Sequence, residues 1–362
     1  MAEFRTQRAP VVALASISGL IMAVAAPLAG WASDRIPVKY VAASGVALFS
    51  LGMLLVSQTS RLGQICWIYG SLLPVGAALA GPVSAQSAVT RMFDTRKGMA
   101  MGISWAGIAL GGVVLPPLTA RLIQRHGWRQ AHLYYACLGF AILVIVLAAM
   151  GRERAQAHGA AAPAETSPSF RGILGARRFW LILLAVVPVS VIFASVQFNI
   201  GPLANDLQID PDRTSFALSL LAATMVVAKL SFGALADHRD HRLLLWTCVG
   251  AIAAAVMAIS VGAAPAFFAS MVLLGVAAGG LMPLVGMVCA DQFSRSEYGR
   301  AVGLCFLVLN ATYVAPWLVA RMRDLTGSYT STLLTMLLLL APAALAIGGL
   351  PPRGKAEPAH LR

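Results

Sequence analysis

The sequence predicts an all-α polytopic membrane protein built from two helical bundles. Its 362 residues are 59% hydrophobic and only 11% charged, about half the charged share of an ordinary soluble chain. Apolar runs of about 20 residues alternate with short charged clusters, which is the pattern of helices that cross a bilayer. A pair of motifs also recurs about 200 residues apart, which indicates two related halves.

The apolar runs predict eleven transmembrane helices, five before a polar segment and six after it. They cover residues 10–32, 38–57, 64–88, 99–121, 130–149, 178–203, 214–236, 243–262, 265–288, 300–320 and 328–349. Each run ends at charged residues or at turn-forming Gly and Pro. The intervening polar segment is rich in Ala, Pro and Ser and is predicted to be a mobile linker. We therefore expect an N-terminal bundle over 1–150, a linker over 151–177, a C-terminal bundle over 178–352 and a tail over 353–362.

Two motifs relate the halves. The first is a turn with a glycine, an aspartate four residues later and an arginine close behind, found at Gly30-Asp34-Arg35 and at Gly233-Asp237-Arg239. Its aspartates are 203 residues apart. The second motif runs from Phe93 to Gly102 and returns from Phe293 to Gly303, at an offset of 200 for the Phe and 201 for the last Gly. Because both motifs lie in loops at nearly one offset, they predict parallel halves related by an axis along the membrane normal.

The offset leaves one predicted helix without a counterpart. Helix 178–203 opens the second half, and shifting it back by 203 residues places its mate before Met1. We therefore expect a twelve-helix design whose opening helix is missing from this chain.

The distribution of Lys and Arg predicts the orientation in the membrane. One set of loops carries 17 of the 27 basic residues and the other set carries nine, while Lys229 lies inside a helix. The positive-inside bias places the richer side in the cytoplasm, together with the linker and the C-terminus. The predicted location is the plasma (inner) membrane.

Several function classes are excluded by missing motifs. The sequence has no G-x-x-x-x-G-K-[ST] phosphate loop, no H-E-x-x-H and no G-x-S-x-G, so no ATP-driven pump, metal hydrolase or serine hydrolase is predicted. The five cysteines are scattered singly inside apolar runs. The net charge of +13 lies in loops between helices, which does not favour a nucleic-acid partner. We expect no cofactor and no metal, and a monomer whose partners are the lipid bilayer and a small molecule.

The aspartates of the repeated turn are placed to accept hydrogen bonds from the free N–H groups at the start of a neighbouring helix, where negative charge is favoured. Gly30 and Gly233 permit close approach of that helix. Arg35 and Arg239 can pair with acids in the next loop, such as Asp94. Contacts of this kind can hold one conformation and release it in another, so we predict a gating role. A solvated charged turn is the alternative.

Lys229 is the one charged residue predicted well inside a helix. It lies eight residues before Asp237, about 12 Å along the axis, near the middle of a hydrocarbon core about 30 Å thick. A lysine at that depth costs about 2.5–3.5 kcal/mol by insertion scales. Met225, Lys229, Gly233 and Asp237 recur every four residues, so Lys229 shares a face with the signature residues. No acid lies at similar depth in a predicted helix, so a substrate carboxylate is the most economical counter-ion. Snorkelling is the alternative.

Other polar and aromatic residues inside helices can line a pathway, although packing is the alternative for each. The candidates for substrate binding beside Lys229 are Trp105, Gln197, Asn199, Asn310 and Tyr313.

The repeated turns resemble the signature loop of the major facilitator superfamily, and Gly127-Trp128-Arg129 resembles its G-W-R sequence. The resemblance covers nearly the whole chain and implies a secondary transporter that works by alternating access. Within the superfamily, residues 228–237 resemble the eighth helix of monocarboxylate and oxalate/formate carriers. There a basic residue at the position of Lys229 faces the substrate's carboxylate, which implies a small organic anion.

The resemblance has three departures. Pro37 stands where the signature has Gly, and the second copy carries His238, Asp240 and His241. Mammalian-type monocarboxylate carriers have an Asp where this chain has Met225, so no local Asp–basic pair for proton coupling is expected. Two alternatives stay open, an exporter of drugs or other metabolites and a truncated paralogue that does not transport. The lack of membrane carboxylates argues against cationic drugs.

Overall fold

The computed structural model describes residues 8–93, 95–149, 170–327 and 329–351, and these residues form helices without any strand. The α-helices in chain order are α1 Arg8–Arg35, α2 Val38–Ser57, α3 Leu62–Tyr69, α4 Leu72–Ala80, α5 Pro82–Met92, α6 Lys97–Ala149, α7 Phe170–Gly175, α8 Arg177–Phe198, α9 Ile200–Asp206, α10 Pro211–Ala236, α11 His241–Ser260, α12 Ala264–Gln292, α13 Tyr298–Ala311, α14 Ala315–Thr326, α15 Tyr329–Met336 and α16 Leu340–Gly349. Short 3₁₀ turns at Thr312–Val314 and Leu337–Leu339 join α13 to α14 and α15 to α16.

The predicted all-α membrane fold is confirmed. Ten stretches of the described residues are long and apolar enough to cross a bilayer. One of them covers 52 residues, from Lys97 to Ala148, which is long enough for two crossings. Gly127 breaks it with a φ of +79°, a backbone conformation that glycine adopts without a steric penalty. The break therefore separates the two helices predicted at 99–121 and 130–149.

Four predicted helices are interrupted: the one at 178–203 is divided at Asn199 into α8 and α9, and the other three are divided where proline or glycine disturbs the backbone ladder. The run at 64–88 is three helices, because Gly70 ends α3 and Pro82, which lacks an N–H, begins α5. The 3₁₀ turns fall in the other two, at 300–320 and 328–349. Proline clashes with the carbonyl four residues earlier, and Pro316 and Pro342 each place that carbonyl inside a 3₁₀ turn.

The described chain forms two compact units, and neither is one half of the sequence. Unit one contains residues 8–92, 112–149, 170–173 and 295–310, so it includes most of α13. Unit two contains the described residues of 93–111, 174–294 and 311–351, so it includes the start of α6.

The predicted bundle boundaries at 150 and 178 stay a prediction. Most of the linker and the tail lie outside the described residues, and the described end of the linker is the short helix α7, with Ile173 buried.

Each unit has a core of closely packed helices. In unit two, 78% of the most apolar stretch of α12 is buried, and its Met271, Leu274 and Leu284 are fully buried. In unit one, α2 and α4 cross at Gly45 and Gly76, where a Cβ on Gly76 would lie 2.7 Å from the backbone nitrogen of Phe49. Small residues at these crossings let the backbones meet, as membrane helices require.

Candidate functional site

The first signature turn caps a helix within unit one. Asp34, near the end of α1, accepts hydrogen bonds from the backbone N–H groups of Gly299 (2.8 Å) and Arg300 (3.0 Å) at the start of α13. These donors have no partner inside their own helix, and the positive end of the helix dipole adds to the attraction. Asp34 thus fixes the end of α1 to the beginning of α13.

Glycines bring the two backbones together at this cap. A Cβ on Gly30 would collide with the carbonyl oxygen of Gly299. One turn further along α13, a Cβ on Gly303 would lie 2.6 Å from the carbonyl oxygen of Ala26. The glycines of both sequence motifs therefore face each other across one helix crossing.

Arg300 completes this site, and the sequence reasoning did not select it. Its Nε donates to Asp34 at 2.9 Å, and its Nη2 donates to the carbonyl oxygen of Ser296 at 2.6 Å. The side chains of Arg300 and Asp34 are only 6% and 3% exposed, so the turn contains a buried ion pair. Beside it, the hydroxyl of Tyr298 donates to Gln86 of α5 at 3.3 Å. The arginine directly after Gly299 in the second motif was the available sequence signal.

The second signature turn repeats the cap within unit two. Asp237 accepts hydrogen bonds from the backbone N–H groups of Gly98 (2.7 Å) and Met99 (3.0 Å) at the start of α6. A Cβ on Gly233 would lie 2.6 Å from the carbonyl oxygen of Gly98, so the same close approach is present. Met99 occupies the position that corresponds to Arg300 in the first turn. Because methionine carries no charge, it forms no ion pair with Asp237.

The predicted pairing of Arg35 and Arg239 with acids is not found among the described residues. The Arg35 guanidinium lies over the ring of Trp31, 4.8 Å from its centroid. Arg239 is exposed to solvent. Asp94, the predicted partner, lies outside the described residues.

Lys229 is buried in α10, with 5% of its surface exposed. It forms no hydrogen bond or ion pair with any residue that the structure describes. Its backbone lies against α6, because a Cβ on Gly102 would sit 2.5 Å from the carbonyl oxygen of Lys229. The face that carries Lys229 therefore packs against protein, which disfavours a lysine that points into lipid.

The register of α6 against α10 brings Trp105 to the same region. Gly98 lies opposite Gly233 and Gly102 lies opposite Lys229, so the helices run antiparallel. Three residues further in this register, the buried Trp105 is level with Val226. A cation and an aromatic side chain are thus placed within about two turns of each other.

The remaining predicted site residues are less favourable. Asn199 lies between α8 and α9, donates both amide N–H groups to the carbonyl oxygens of Ser195 and Pro316, and accepts from the hydroxyl of Tyr329. Its amide is thus used by helix contacts. Gln197 is half-buried in unit two. Asn310 is half-buried in unit one, and the side chain of Tyr313 lies outside the described residues.

Comparison with known proteins establishes the class to which this fold and these turns belong. The sequence profile of the Major Facilitator Superfamily matches residues 2–201 and again residues 189–362. The chain therefore belongs to this superfamily. It is an integral, multi-pass membrane transporter and not an enzyme.

Similar sequences include monocarboxylate transporters. Monocarboxylate transporter 13 of Rattus norvegicus is 24% identical over 338 residues, which cover 92% of this chain and 78% of the relative. Monocarboxylate transporter 12 of Homo sapiens is 23% identical, with 88% of this chain and 68% of the relative covered. The riboflavin transporter RibJ of Trypanosoma brucei brucei is 30% identical over 129 residues, 35% of this chain and 23% of the relative.

Solved structures share the fold. A bacterial homologue of the iron transporter ferroportin, in an outward-facing state, matches with a TM-score of 0.73 at 17% identity and covers 96% of this chain and 92% of its own. The human organic anion transporter MFSD10 matches with a TM-score of 0.70 at 15% identity and covers 92% and 82%.

Proposed function

We propose that this transporter moves a small organic anion, a monocarboxylate or a close analogue, by alternating access, and that Lys229 binds its carboxylate. The observation that carries the proposal is that Lys229, with 5% of the residue exposed, has no acidic partner among the described residues. A buried charge is costly unless it is paired. A bound carboxylate pairs it and supplies a charge-assisted hydrogen bond.

The positions of the acids support an external counter-ion. Every acid that the structure describes lies within three residues of a helix end, whereas Lys229 lies seven residues inside the end of α10. About 10 Å of helix separate Lys229 from that end, so these acids are poor neutralising partners. The names of the relatives, monocarboxylate transporters 12 and 13, agree with a carboxylate substrate.

The two capped turns are proposed to be gates. Each cap ties one helix end to the start of another by two backbone hydrogen bonds, and these bonds can break without disturbing either helix interior. A conformation that separates the helices loses both caps together with the glycine contacts. The proposal predicts that weakening a cap changes the transport rate more than it changes substrate affinity.

The orientation proposed for the chain follows from the basic residues. We infer that the loops with both signature turns, the linker and the C-terminus face the cytoplasm of a cell whose plasma membrane holds the protein. A reporter fused to the C-terminus tests this, because it is active only on the side where it folds.

Counterflow in proteoliposomes tests the role of Lys229. A panel of labelled monocarboxylates is compared with dicarboxylates, riboflavin and a cationic dye on wild type, Lys229→Arg and Lys229→Gln. We expect monocarboxylate exchange in wild type, partial exchange in the Arg variant and none in the Gln variant. Lys39→Gln is the matched control, because it removes a lysine that lies beside Tyr40 at the start of α2.

The outcomes separate the alternatives. Full carboxylate exchange by a folded Lys229→Gln protein removes Lys229 from the site. Exchange of riboflavin or of the dye alone favours the exporter alternative. A melting curve of each purified variant distinguishes loss of transport from loss of fold.

A further inference from the structure

His241 connects three helix ends in unit two. It is the first residue of α11 and is 4% exposed. Its Nε2 lies 2.9 Å from the carbonyl oxygen of Ala236, the last residue of α10. Its Nδ1 lies 2.7 Å from a carboxylate oxygen of Asp291, one residue before the end of α12. One imidazole therefore joins the ends of α10 and α12 to the beginning of α11.

The two partners determine the protons on the ring. A backbone carbonyl and a carboxylate both accept hydrogen bonds, and a neutral imidazole has only one N–H to donate. Both contacts are made at once when the ring carries two protons and a positive charge. The C-terminal ends of α10 and α12 favour that charge, because each helix dipole is negative there.

The surrounding charges leave Asp291 as the acid that faces this ring among the described residues. Asp240 accepts from the backbone N–H of Arg242 at 2.9 Å and caps α11. Arg242 donates to the carbonyl oxygen of Gly348 at the end of α16, at 3.3 Å. The remaining residues around the small cavity beside the ring are uncharged, namely Leu245, Val288, Gln292, Leu350 and Pro351. On the preceding turn, His238 and Arg239 are exposed and Asp237 is bound to α6.

We propose that His241 is a proton-binding switch of this transporter. With two protons, the ring holds the turn that carries Asp237 against α11 and α12. Loss of one proton removes the hydrogen bond from the ring to either Ala236 or Asp291 and weakens the hold on that turn. The bound ligand is a proton from the solution on the side of the membrane where the turn lies, since the Asp291 side chain is 30% exposed.

The first signature turn lacks this device. The offset of 203 places Val38 at the position of His241, and the offset of 200 places Arg91 at the position of Asp291. Val38 is fully buried, and Arg91 donates to the carbonyl oxygen of Ser33. Neither residue changes charge near neutral pH, so the titrating contact belongs to the second turn alone.

The direction of the pH effect follows from proton binding. The folded state holds the second proton of His241 between two acceptors, whereas the unfolded chain offers no such partners. The contact with both acceptors needs the second proton, so we expect it to favour the folded state more at acidic than at alkaline pH, the range between them being about pH 5 to 8 for histidine side chains in general.

Thermal unfolding of the purified full chain tests the proposal without any assumption about the substrate. Wild type, His241→Gln and Asp291→Asn are melted at about pH 5.5 and about pH 8.5, on either side of that range. At the acidic pH we expect the melting temperature of wild type to be about 2 °C above that of His241→Gln. At the alkaline pH the difference between the two melting temperatures should be much smaller. His238→Gln is the control, because it removes an exposed histidine of the same turn.

A gap between wild type and His241→Gln that is equal at both pH values overturns the proposal. If His241→Gln does not fold, Asp291→Asn makes the same comparison, and a gap that does not change with pH overturns the proposal there too. His241→Arg, which keeps the charge, should melt with little dependence on pH. Where transport is measurable, its pH dependence on the side of this turn should disappear in His241→Arg and persist in His238→Gln.

Discussion

The two signature turns share one backbone geometry and differ in the side chains around it. Asp34 and Asp237 each accept two backbone N–H groups at the start of a helix, at 2.7–3.0 Å. The second N-terminal position is Arg300 in the first turn and Met99 in the second. The first cap is consequently a buried ion pair, whereas in the second, among the described residues, the carboxylate is held by a helix end alone.

The difference teaches which part of the motif is shared. Glycine and aspartate generate the crossing and the cap in both halves, because they act through backbone atoms. The neighbouring side chains then set how strongly each cap holds and what breaks it. Salt screens a buried ion pair much less than it screens a half-buried carboxylate on a helix end. The two turns are therefore expected to open at different free-energy costs.

Asp34→Asn should have the largest effect. It leaves the guanidinium of Arg300 buried without its carboxylate, and breaking a buried ion pair in this way costs about 3 kcal/mol. Asp237→Asn, the matched change in the other turn, should cost about 0.3–1 kcal/mol, since it weakens only a contact with a helix dipole. Chemical unfolding of the purified proteins measures both losses. Equal losses would contradict the asymmetry.

The same comparison is sharpened in an Arg300→Met background, which makes the first turn resemble the second. In that background, Asp34→Asn should lower the free energy of unfolding by no more than Asp237→Asn lowers it in wild type. The double-mutant cycle isolates the ion pair because the two residues are in direct contact.

Gly30→Ala should have the next largest effect. The new Cβ collides with the carbonyl oxygen of Gly299, so α1 and α13 must move apart at a cost of about 1–3 kcal/mol. Gly19→Ala is the control in the same helix, because nothing lies within 4 Å of a Cβ there. Melting temperatures of the two variants measure the difference. A Gly30→Ala protein as stable as Gly19→Ala would show that this close approach is unnecessary.

Met99→Arg should have the smallest effect, and in the stabilising direction. The new guanidinium can reach Asp237 as Arg300 reaches Asp34, but the site is more exposed, so the gain is about 0.5 kcal/mol. Melting curves at low salt and at about 1 M salt test it, because screening should remove the gain. Met99→Leu should give no gain, and a gain that survives high salt would point to packing instead of charge.

Sequence reasoning located the helices well and their interruptions poorly. Helix α2 spans 38–57 as predicted. Its apolar residues form one continuous run, and such a run can be found from the local sequence alone. The prediction of a single helix over 64–88 was wrong, because hydropathy does not depend on the missing N–H of Pro82 or on the end of α3 at Gly70. Gly127 lies between two predicted helices, and the backbone breaks there with a positive φ.

The candidate site was only partly accessible from the sequence. Lys229 was identifiable because a charge inside an apolar run is conspicuous by itself. Asn199 looked equally suitable for a ligand, yet its amide is occupied by Ser195, Pro316 and Tyr329. A hydrogen-bond partner 117 or 130 residues away leaves no trace in local sequence.

The sequence by itself determined that this chain crosses a membrane many times, that its halves repeat and that two aspartates follow glycines in matching turns. These properties depend on hydropathy, spacing and residue type, all of which are written along the chain. Only the tertiary structure decided that Arg300 neutralises Asp34, that Gly102 meets Lys229, and that His241 lies between two acceptors. Such pairings depend on which helices touch and in which register, because short-range contacts exist only where packing brings distant residues together.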